Sequence, residues 1–170
     1  MDDVKWAIAR EIPHLRRYAR ALLRDADAAD DLVQDCLERA LRKRHLWGRR
    51  GRLRSWLFSV LYRVHLNKAR SQRHAPTAVG VDRIDAVMAQ PARQEKHMEC
   101  RDIADALTLL PEEQRAPILL IALDGLPYDE AASVLGIPIG TLRSRLSRGR
   151  ETLRALRTAR ARRPALRRVK

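Results

Sequence analysis

The sequence predicts an all-α protein made of two small helical domains joined by a linker. Apolar residues recur with the helical period along most of the chain, and no strand-like alternation or internal repeat stands out. The helical pattern stops between His74 and about Glu95, where Pro76, Gly80 and Pro91 interrupt it and the apolar residues lose their period. A chain of 170 residues can be one domain or two small ones, and this break favours two.

Two wide apolar stripes predict the first two helices. The first helix runs from about Val4 to Leu23, and its apolar side contains Ile8, Ile12, Leu15, Tyr18, Ala19 and Leu22. Asp25 and Asp27 then supply side-chain oxygens that can cap the start of the second helix. The apolar stripe of that helix contains Ala29, Leu32, Val33, Cys36, Leu37, Ala40 and Leu41, and its opposite face carries Asp31, Gln34, Asp35 and Glu38.

A third helix, from about Leu53 to Arg73, lies in a basic and aromatic part of the chain. From Arg39 through Val81 there is no acidic residue, against twelve Lys and Arg. Aromatic rings interleaved with cations suit single-stranded nucleic acid, because unstacked bases need flat surfaces and the backbone needs positive charge. The alternative is that these rings are simply core. We expect Trp56 to be mainly core and Phe58 or Tyr62 to be more open.

The C-terminal half begins with helical signals from Glu99 to Leu110. Pro111 then stands at a first helical turn, followed by Glu112 and Glu113, whose charges suit the positive end of the helix dipole. We expect that helix to end near Asp124.

Residues 125–150 predict two short helices around a tight turn. Gly136 ends the first, since glycine enters the left-handed region without steric cost. Leu142 and Leu146 repeat one turn apart in the second. Arginines project from its other sides, namely Arg143, Arg145, Arg148 and Arg150. This layout is typical of a DNA-binding helix-turn-helix, whereas the alternative, a structural helical hairpin, needs no arginine there.

The charge balance indicates a nucleic-acid partner and separate charged faces. The formal net charge is +14, which favours attraction to polyanions. Between Glu99 and Glu130 the balance reverses, with eight acids against Arg101 and Arg115, and acids also dominate Asp25 to Glu38. From Thr152 to Lys170 there are eight Lys and Arg and no acid. Because a solvated surface usually mixes the two signs, the basic and acidic faces are expected to have different partners.

Other classes of protein find no support in the composition. The two cysteines, Cys36 and Cys100, are far apart and form neither a disulfide framework nor a zinc motif. His97 could share a helix face with Cys100, but two ligands do not make a metal site, so we expect neither metal nor cofactor. No apolar run approaches the roughly 20 residues that span a bilayer, and the N-terminus lacks a signal-peptide pattern, which predicts a cytoplasmic protein.

Four motifs follow one another in register along nearly the whole chain. They are residues 30–35 (DDLVQD), 54–58 (RSWLF), 109–115 (LLPEEQR) and the helix-turn-helix at 125–150. Together they resemble the extracytoplasmic-function (ECF, group IV) sigma factors, the smallest promoter-recognising subunits of bacterial RNA polymerase. The resemblance implies sigma region 2 at residues 1–74, a linker at 75–97, and sigma region 4 with a basic C-terminal tail at 98–170.

The resemblance also implies a function and a set of contact residues. The chain would bind core RNA polymerase and direct promoter recognition, promoter melting and transcription initiation, with no enzymatic activity of its own. The contacts to the clamp helices of the largest polymerase subunit would be made by Asp31, Gln34, Asp35 and Glu38. The minus-ten element would be held by Arg54, Trp56, Phe58, Tyr62, Arg63, Asn67 and Arg70, and the minus-thirty-five element by Thr141, Arg143, Ser144, Ser147 and Arg148. Further implied partners are the polymerase beta flap and an anti-sigma factor.

The sequence departs from the family pattern in the third helix. Arg63 and Asn67 stand where family members often carry Asn and Asp, so base preferences are not transferred. Arg145 lies next to the buried side of the recognition helix and is not assigned to DNA. The stretch from His14 to Leu41 also resembles the general-stress sigma factors of alpha-proteobacteria.

Two alternatives come from other functional classes. A stand-alone helix-turn-helix repressor would be a dimer on a palindromic operator, but it would explain neither the basic aromatic helix nor the acidic face. A nucleic-acid enzyme would need paired carboxylates, a nucleophile or metal ligands in a cleft, and helix capping with surface charge already explains the adjacent Asp30 and Asp31. Co-purification with core polymerase separates the three.

A free sigma factor with two basic DNA surfaces is expected to hide them when it is off the polymerase. We therefore expect a compact free state, or one clamped by an anti-sigma protein, in which the acidic stretch from Glu99 to Glu130 lies near the basic N-terminal surface.

Overall fold

The computed structural model describes residues 2–44, 47, 52–74 and 103–161, and every regular element within them is helical. The elements in chain order are α1 (Asp2–Leu23), α2 (Ala26–Arg42), α3 (Leu53–His74), α4 (residues 103–108), α5 (Glu112–Ile118), a π-helical turn (Leu119–Leu123), α6 (Tyr128–Leu135) and α7 (Ile139–Ala161). The predicted all-α fold class is confirmed. The expected linker at 75–97 and the basic tail beyond residue 161 lie outside the described residues.

Helices α1, α2 and α3 pack against one another through the apolar stripes that the sequence predicts. Asp25 is the N-cap of α2, and its side chain accepts a 3.0 Å hydrogen bond from the Ala28 N–H. In the core, the rings of Tyr18 and Phe58 meet edge to face, with their centroids 5.1 Å apart. The fully buried leucines of this core are Leu15, Leu22, Leu32, Leu57 and Leu61. Burial of each such side chain stabilises the fold by about 1.5–3 kcal/mol.

The C-terminal half contains one departure from the expected helices. Pro111 is the N-cap of α5, in agreement with the sequence. The single helix expected up to Asp124 is instead divided, because α5 ends at Ile118 and the π-helical turn follows. Pro117 lies in the last turn of α5 and has no N–H to bond to the carbonyl four residues earlier. Directly after this missing bond, the helix changes from the α-helical to the wider π-helical hydrogen-bonding pattern.

The predicted helix-turn-helix is present as α6, a tight turn and α7. Gly136 ends α6 in the left-handed conformation, at φ 65° and ψ 36°, as its position in the sequence indicates. Leu142 and Leu146 bury the inner side of α7. Gly149 permits a close approach of α7 to α5, because a Cβ atom there would stand 2.6 Å from the Ile118 Cδ1 atom.

The two halves of the molecule pack against each other. Helix α6 contacts α3, and the π-helical turn contacts α1. Two acids of the C-terminal half, Asp124 and Glu130, pair with Arg17 and Arg52 of the N-terminal half. In this structure the acidic side chains of the C-terminal half therefore lie against basic groups of the N-terminal half, which is the placement expected of the compact arrangement.

Candidate nucleic-acid interface

The acidic face of α2 points away from the N-terminal core. Asp31, Gln34 and Glu38 are exposed, and Asp35 is half-buried. The Asp35 carboxylate lies 2.8 Å from Lys68 Nζ, and Glu38 pairs at 3.1 Å with the arginine one turn later in α2. Such exposed pairs contribute at most about 1 kcal/mol each, so a cationic partner can replace them. The four residues form one accessible, predominantly acidic surface.

The outer face of α7 presents cations and hydroxyl groups to solvent. Arg143, Ser147 and Arg148 are exposed, whereas Thr141 and Ser144 are half-buried. The Ser144 hydroxyl donates to the Thr141 carbonyl at 3.0 Å. Its proton is therefore already used in a hydrogen bond within α7. All five predicted residues share one end of α7, and the two exposed arginines are the side chains most accessible to a ligand.

A shallow concavity of about 320 Å³ extends this face of α7 toward its C-terminal end. Its lining residues are Tyr128, Arg143, Leu146, Ser147, Arg150 and Arg154. Arg150 Nη2 donates to the Tyr128 hydroxyl at 3.3 Å, which links the start of α6 to this surface. Sequence reasoning missed Tyr128 and Arg154 as members of the face. Positions 143, 147, 150 and 154 follow the spacing of one helical stripe, which is the signal that could have found Arg154.

Arg145 is held by its own half of the molecule. Its side chain is 26% exposed, and its Nη2 atom lies 3.5 Å from the Glu113 carboxylate of α5. Its exclusion from the predicted DNA contacts is consistent with this structural pairing.

The polar residues predicted for the minus-ten element lie along α3 in different surroundings. Arg63, Asn67 and Arg70 are exposed. Arg54 is turned toward α1, because its Nε donates to the Glu11 carboxylate at 2.7 Å and its Nη2 lies 3.1 Å from His14 Nε2. The exposed residues are the ones that solvent, and hence a ligand, can reach in this arrangement.

The expectation for the aromatic residues of α3 is wrong. Trp56 is only partly buried, whereas Phe58 has no exposed surface and Tyr62 is 8% exposed. Phe58 is a core residue, because its ring packs against Tyr18 inside the three-helix unit. Tyr62 is also almost fully buried, and its burial, followed by the nearby Glu112 carboxylate, raises the pKa of its hydroxyl.

Asp124 is the most deeply buried carboxylate at the contact between the two halves. Its side chain is fully buried, and Arg17 Nη2 donates to its Oδ1 atom at 2.7 Å. The same guanidinium group donates to the Leu123 carbonyl at 2.8 Å, and His14 Nδ1 lies 3.2 Å from the carboxylate. The Asp124 side chain thus contacts two basic residues of α1.

Two further carboxylates of the C-terminal half contact α3 and the residue before it. Glu130 accepts a hydrogen bond from the Ser55 hydroxyl and lies 3.4 Å from Arg52 Nε. Glu112 Oε1 lies 2.8 Å from the Nε2 atom of His65, which is 7% exposed. Sequence reasoning singled out neither Ser55 nor His65, because nothing near them in the chain indicates these distant partners.

Three buried polar atoms near this contact have no hydrogen-bond partner among the described residues, namely Tyr18 Oη, Arg115 Nε and Asp124 Oδ2. Burial first, and then the nearby Tyr62 and Glu112, raise the pKa of the Tyr18 hydroxyl.

Metal and membrane features were also sought in the described part of the chain. It contains no group of three or more His, Cys, Asp or Glu side chains placed to hold a metal ion. His97 and Cys100, which the sequence analysis considered, lie outside it. None of its helices combines the length and apolar character needed to cross a membrane.

Comparison with known proteins decides the family. The family model of the Sigma2 domain of PhyR matches residues 8–62, and the model of Sigma-70, region 4 matches residues 100–153. The chain is 34% identical to the ECF RNA polymerase sigma factor EcfG of Rhodopseudomonas palustris over 91% of its own length and 85% of that protein. This chain belongs to the ECF sigma factor family. It is also 31% identical to the ECF RNA polymerase sigma factor SigC of Mycobacterium tuberculosis, over 79% of this chain and 73% of that protein.

Solved structures agree with this assignment. The sigma factor RpoE of Bartonella quintana, determined in complex with the anti-sigma factor NepR, superposes with a TM-score of 0.77 at 31% identity, covering 93% of this chain and 98% of that one. CnrH, determined with the cytosolic domain of CnrY, gives a TM-score of 0.63 at 28% identity, covering 89% and 85%. In this sigma factor the first family match spans most of α1 to α3, and the second spans α4 to the middle of α7.

Proposed function

We propose that this sigma factor, of the ECF group IV class, binds core RNA polymerase and directs promoter recognition, promoter melting and transcription initiation. The observation that carries the proposal is the presence of sigma regions 2 and 4 in one chain, each with an exposed charged face. Residues 1–74 form region 2, residues 75–97 the linker, and residues 98–170 region 4 with its tail. The protein acts by binding rather than by catalysis, in the cytoplasm where the polymerase works.

The acidic face of α2 is the proposed contact to the clamp helices of the largest polymerase subunit. Asp31, Gln34 and Glu38 are already exposed, and Asp35 has to exchange Lys68 for a cation of the partner. Complementary charge mainly raises the association rate and fixes the orientation of such a complex. This role accounts for an acidic surface in a protein whose net charge is +14.

The minus-ten element is the proposed ligand of α3. The exposed Arg63, Asn67 and Arg70 meet the strand first, and Arg54 and Tyr62 join after rearrangement. The partly buried Trp56 remains in the proposed set. Phe58 is withdrawn from this set, because its ring is fully buried against Tyr18.

The minus-thirty-five element is the proposed ligand of α7, in duplex form. Arg143 and Arg148 reach base edges or phosphates, and the predicted Thr141, Ser144 and Ser147 line the same end of the helix. The beta flap of the polymerase holds region 4 near this element.

An anti-sigma factor is the proposed regulator. The similar RpoE of Bartonella quintana was crystallised with the anti-sigma factor NepR, and the structure of CnrH was determined in complex with the cytosolic domain of CnrY, which supports a partner of this kind. The resemblance of residues 14–41 to the general-stress sigma factors of alpha-proteobacteria supports placing the chain near that group.

The test is run-off transcription with core polymerase on the promoter of the protein's own gene. Wild-type protein should give a transcript of defined length. The triple change of Asp31, Asp35 and Glu38 to lysine should weaken core binding in a pull-down, while the helical circular dichroism remains. Asp3→Lys, an exposed charge reversal in α1, is the control and should retain activity. Absence of any core-dependent transcript from the wild type would overturn the proposal.

A further inference from the structure

Tyr62 and His65 form a pair of rings on one side of α3. They lie three residues apart, with ring centroids 6.1 Å apart and ring planes inclined by 40°. The exposed Arg63 follows Tyr62 directly, within the part of the chain that contains no acid. Adjacent rings beside cations are what a single strand needs, because bases stack on the rings and phosphates pair with the charges.

Glu112 of the C-terminal half lies against the His65 ring of this pair. Its carboxylate lies 2.8 Å from His65 Nε2, although the two residues are 47 positions apart in the chain. Tyr62 is 8% exposed and His65 is 7% exposed, so neither ring can stack on a base in this arrangement. The raised pKa of the Tyr62 hydroxyl, caused by burial and then by Glu112, agrees with this geometry.

The cover belongs to a wider pattern of charge. Asp124 pairs with Arg17, and Glu130 contacts Arg52 and Ser55, so acids of the C-terminal half meet basic or donor groups of the N-terminal half at three places. A carboxylate presents the same charge and acceptor oxygens that a strand phosphate would present there. In the absence of nucleic acid, these carboxylates therefore pair with the basic and donor groups of the N-terminal surface.

We propose that Glu112 covers a base-stacking platform formed by Tyr62 and His65, and that His65 becomes a strand-binding residue once α5 moves away. The inference deepens the proposed function and rests on it. It adds His65 to the minus-ten surface and makes Glu112 an intramolecular competitor for that surface. The exposed acidic face of α2 and the exposed arginines of α7 remain accessible in the covered state. Docking on polymerase therefore does not require prior opening, whereas strand binding does.

The test measures binding of a fluorescently labelled, random-sequence single-stranded DNA to the full chain at low salt. Glu112→Gln removes the charge of the cover and keeps its shape, and it should tighten binding by about two- to fivefold, the factor expected when a partly exposed charged contact is lost. Glu113→Gln is the matched control, because the neighbouring Glu113 pairs with Arg145 of its own half. It should leave strand affinity near that of the wild type.

Variants of His65 test the platform itself in the Glu112→Gln background. His65→Ala should remove the gain in affinity, and His65→Phe, which keeps a ring, should retain most of it. Thermal unfolding of every variant verifies the fold. Equal strand affinities for Glu112→Gln and Glu113→Gln would contradict the proposal that Glu112 blocks strand binding. A gain in affinity that survives His65→Ala would contradict the proposal that His65 binds the strand. Run-off transcription by the wild type is independent of both results, so failure here leaves the proposed function standing.

Discussion

Arg17 is the residue whose loss should open the molecule most clearly. Its Nη2 atom donates to Asp124 Oδ1 at 2.7 Å and to the Leu123 carbonyl at 2.8 Å, so one guanidinium group binds two acceptors of the other half. The Asp124 side chain is fully buried, whereas that of Arg17 is 46% exposed. Arg17→Ala removes both bonds and leaves the buried carboxylate with His14 alone.

The magnitude of this effect follows from the two bonds and their exposure. Both bonds are donated by a charged guanidinium group, and hydrogen bonds of this kind contribute about 1.5–3 kcal/mol each. Because Arg17 is half exposed, water replaces part of what is lost, and we expect the closed state to lose about 1–3 kcal/mol relative to the open state. That difference lowers the ratio of closed to open molecules by about 5- to 150-fold.

Small-angle scattering through a salt titration measures this ratio, because salt screens the charged contacts between the halves. Arg17→Ala should reach the expanded particle at a lower salt concentration than the wild type. Arg16→Ala is the matched control, since Arg16 lies next in sequence but pairs with Asp30 of its own half at 3.7 Å. Identical salt midpoints for the two variants would refute the reasoning.

Three further predictions concern other parts of the molecule. Arg143→Ala and Arg148→Ala should each weaken binding to a minus-thirty-five duplex by about 1–3 kcal/mol in fluorescence anisotropy, and unchanged affinity in both would place the recognition helix elsewhere. Gly149→Ala should lower the unfolding temperature, since its Cβ would stand 2.6 Å from a side chain of α5, whereas Gly140→Ala, with open space around it, should not. Burial raises the pKa of the Cys36 thiol to about 12. In a Cys100→Ser variant, iodoacetamide at pH 8 should therefore alkylate Cys36 only after unfolding. Rapid alkylation of the folded protein would contradict this.

Local signals in the sequence were sufficient for most of the helices. Asp25 caps α2 and Gly136 ends α6 in the left-handed region, because caps and turns depend on residues only a few positions apart. The apolar stripes of α1 and α2 also became core as predicted, except that Ile12, Leu37 and Leu41 are only partly buried. Pro117 was visible in the sequence, but its consequence, the π-helical turn after α5, depends on where the helix begins and which carbonyl loses its partner.

The burial of aromatic residues could not be predicted from local pattern. Phe58 and Tyr62 lie one turn apart on α3, yet Phe58 packs inside its own unit and Tyr62 is covered beside Glu112 from the other half. Composition indicated that these rings were suited to nucleic acid, but it could not show which surfaces a distant helix would cover. The same limitation explains why Tyr128, contributed by α6, was missed as a neighbour of the α7 arginines.

The division of charge along the chain acquires its physical meaning only in the folded molecule. The acids of α2 face solvent, so a cationic partner gains their attraction at the small cost of displacing exposed pairs. The acids Glu112, Asp124 and Glu130 instead face the N-terminal half, so a nucleic-acid strand has to displace them before it can bind there. Displacing the exposed pairs of α2 costs less free energy than displacing the acids that face the N-terminal half. Docking of α2 should therefore precede uncovering of α3. A polymerase surface that then binds region 4 better when it is separated from region 2 would supply the free energy of opening.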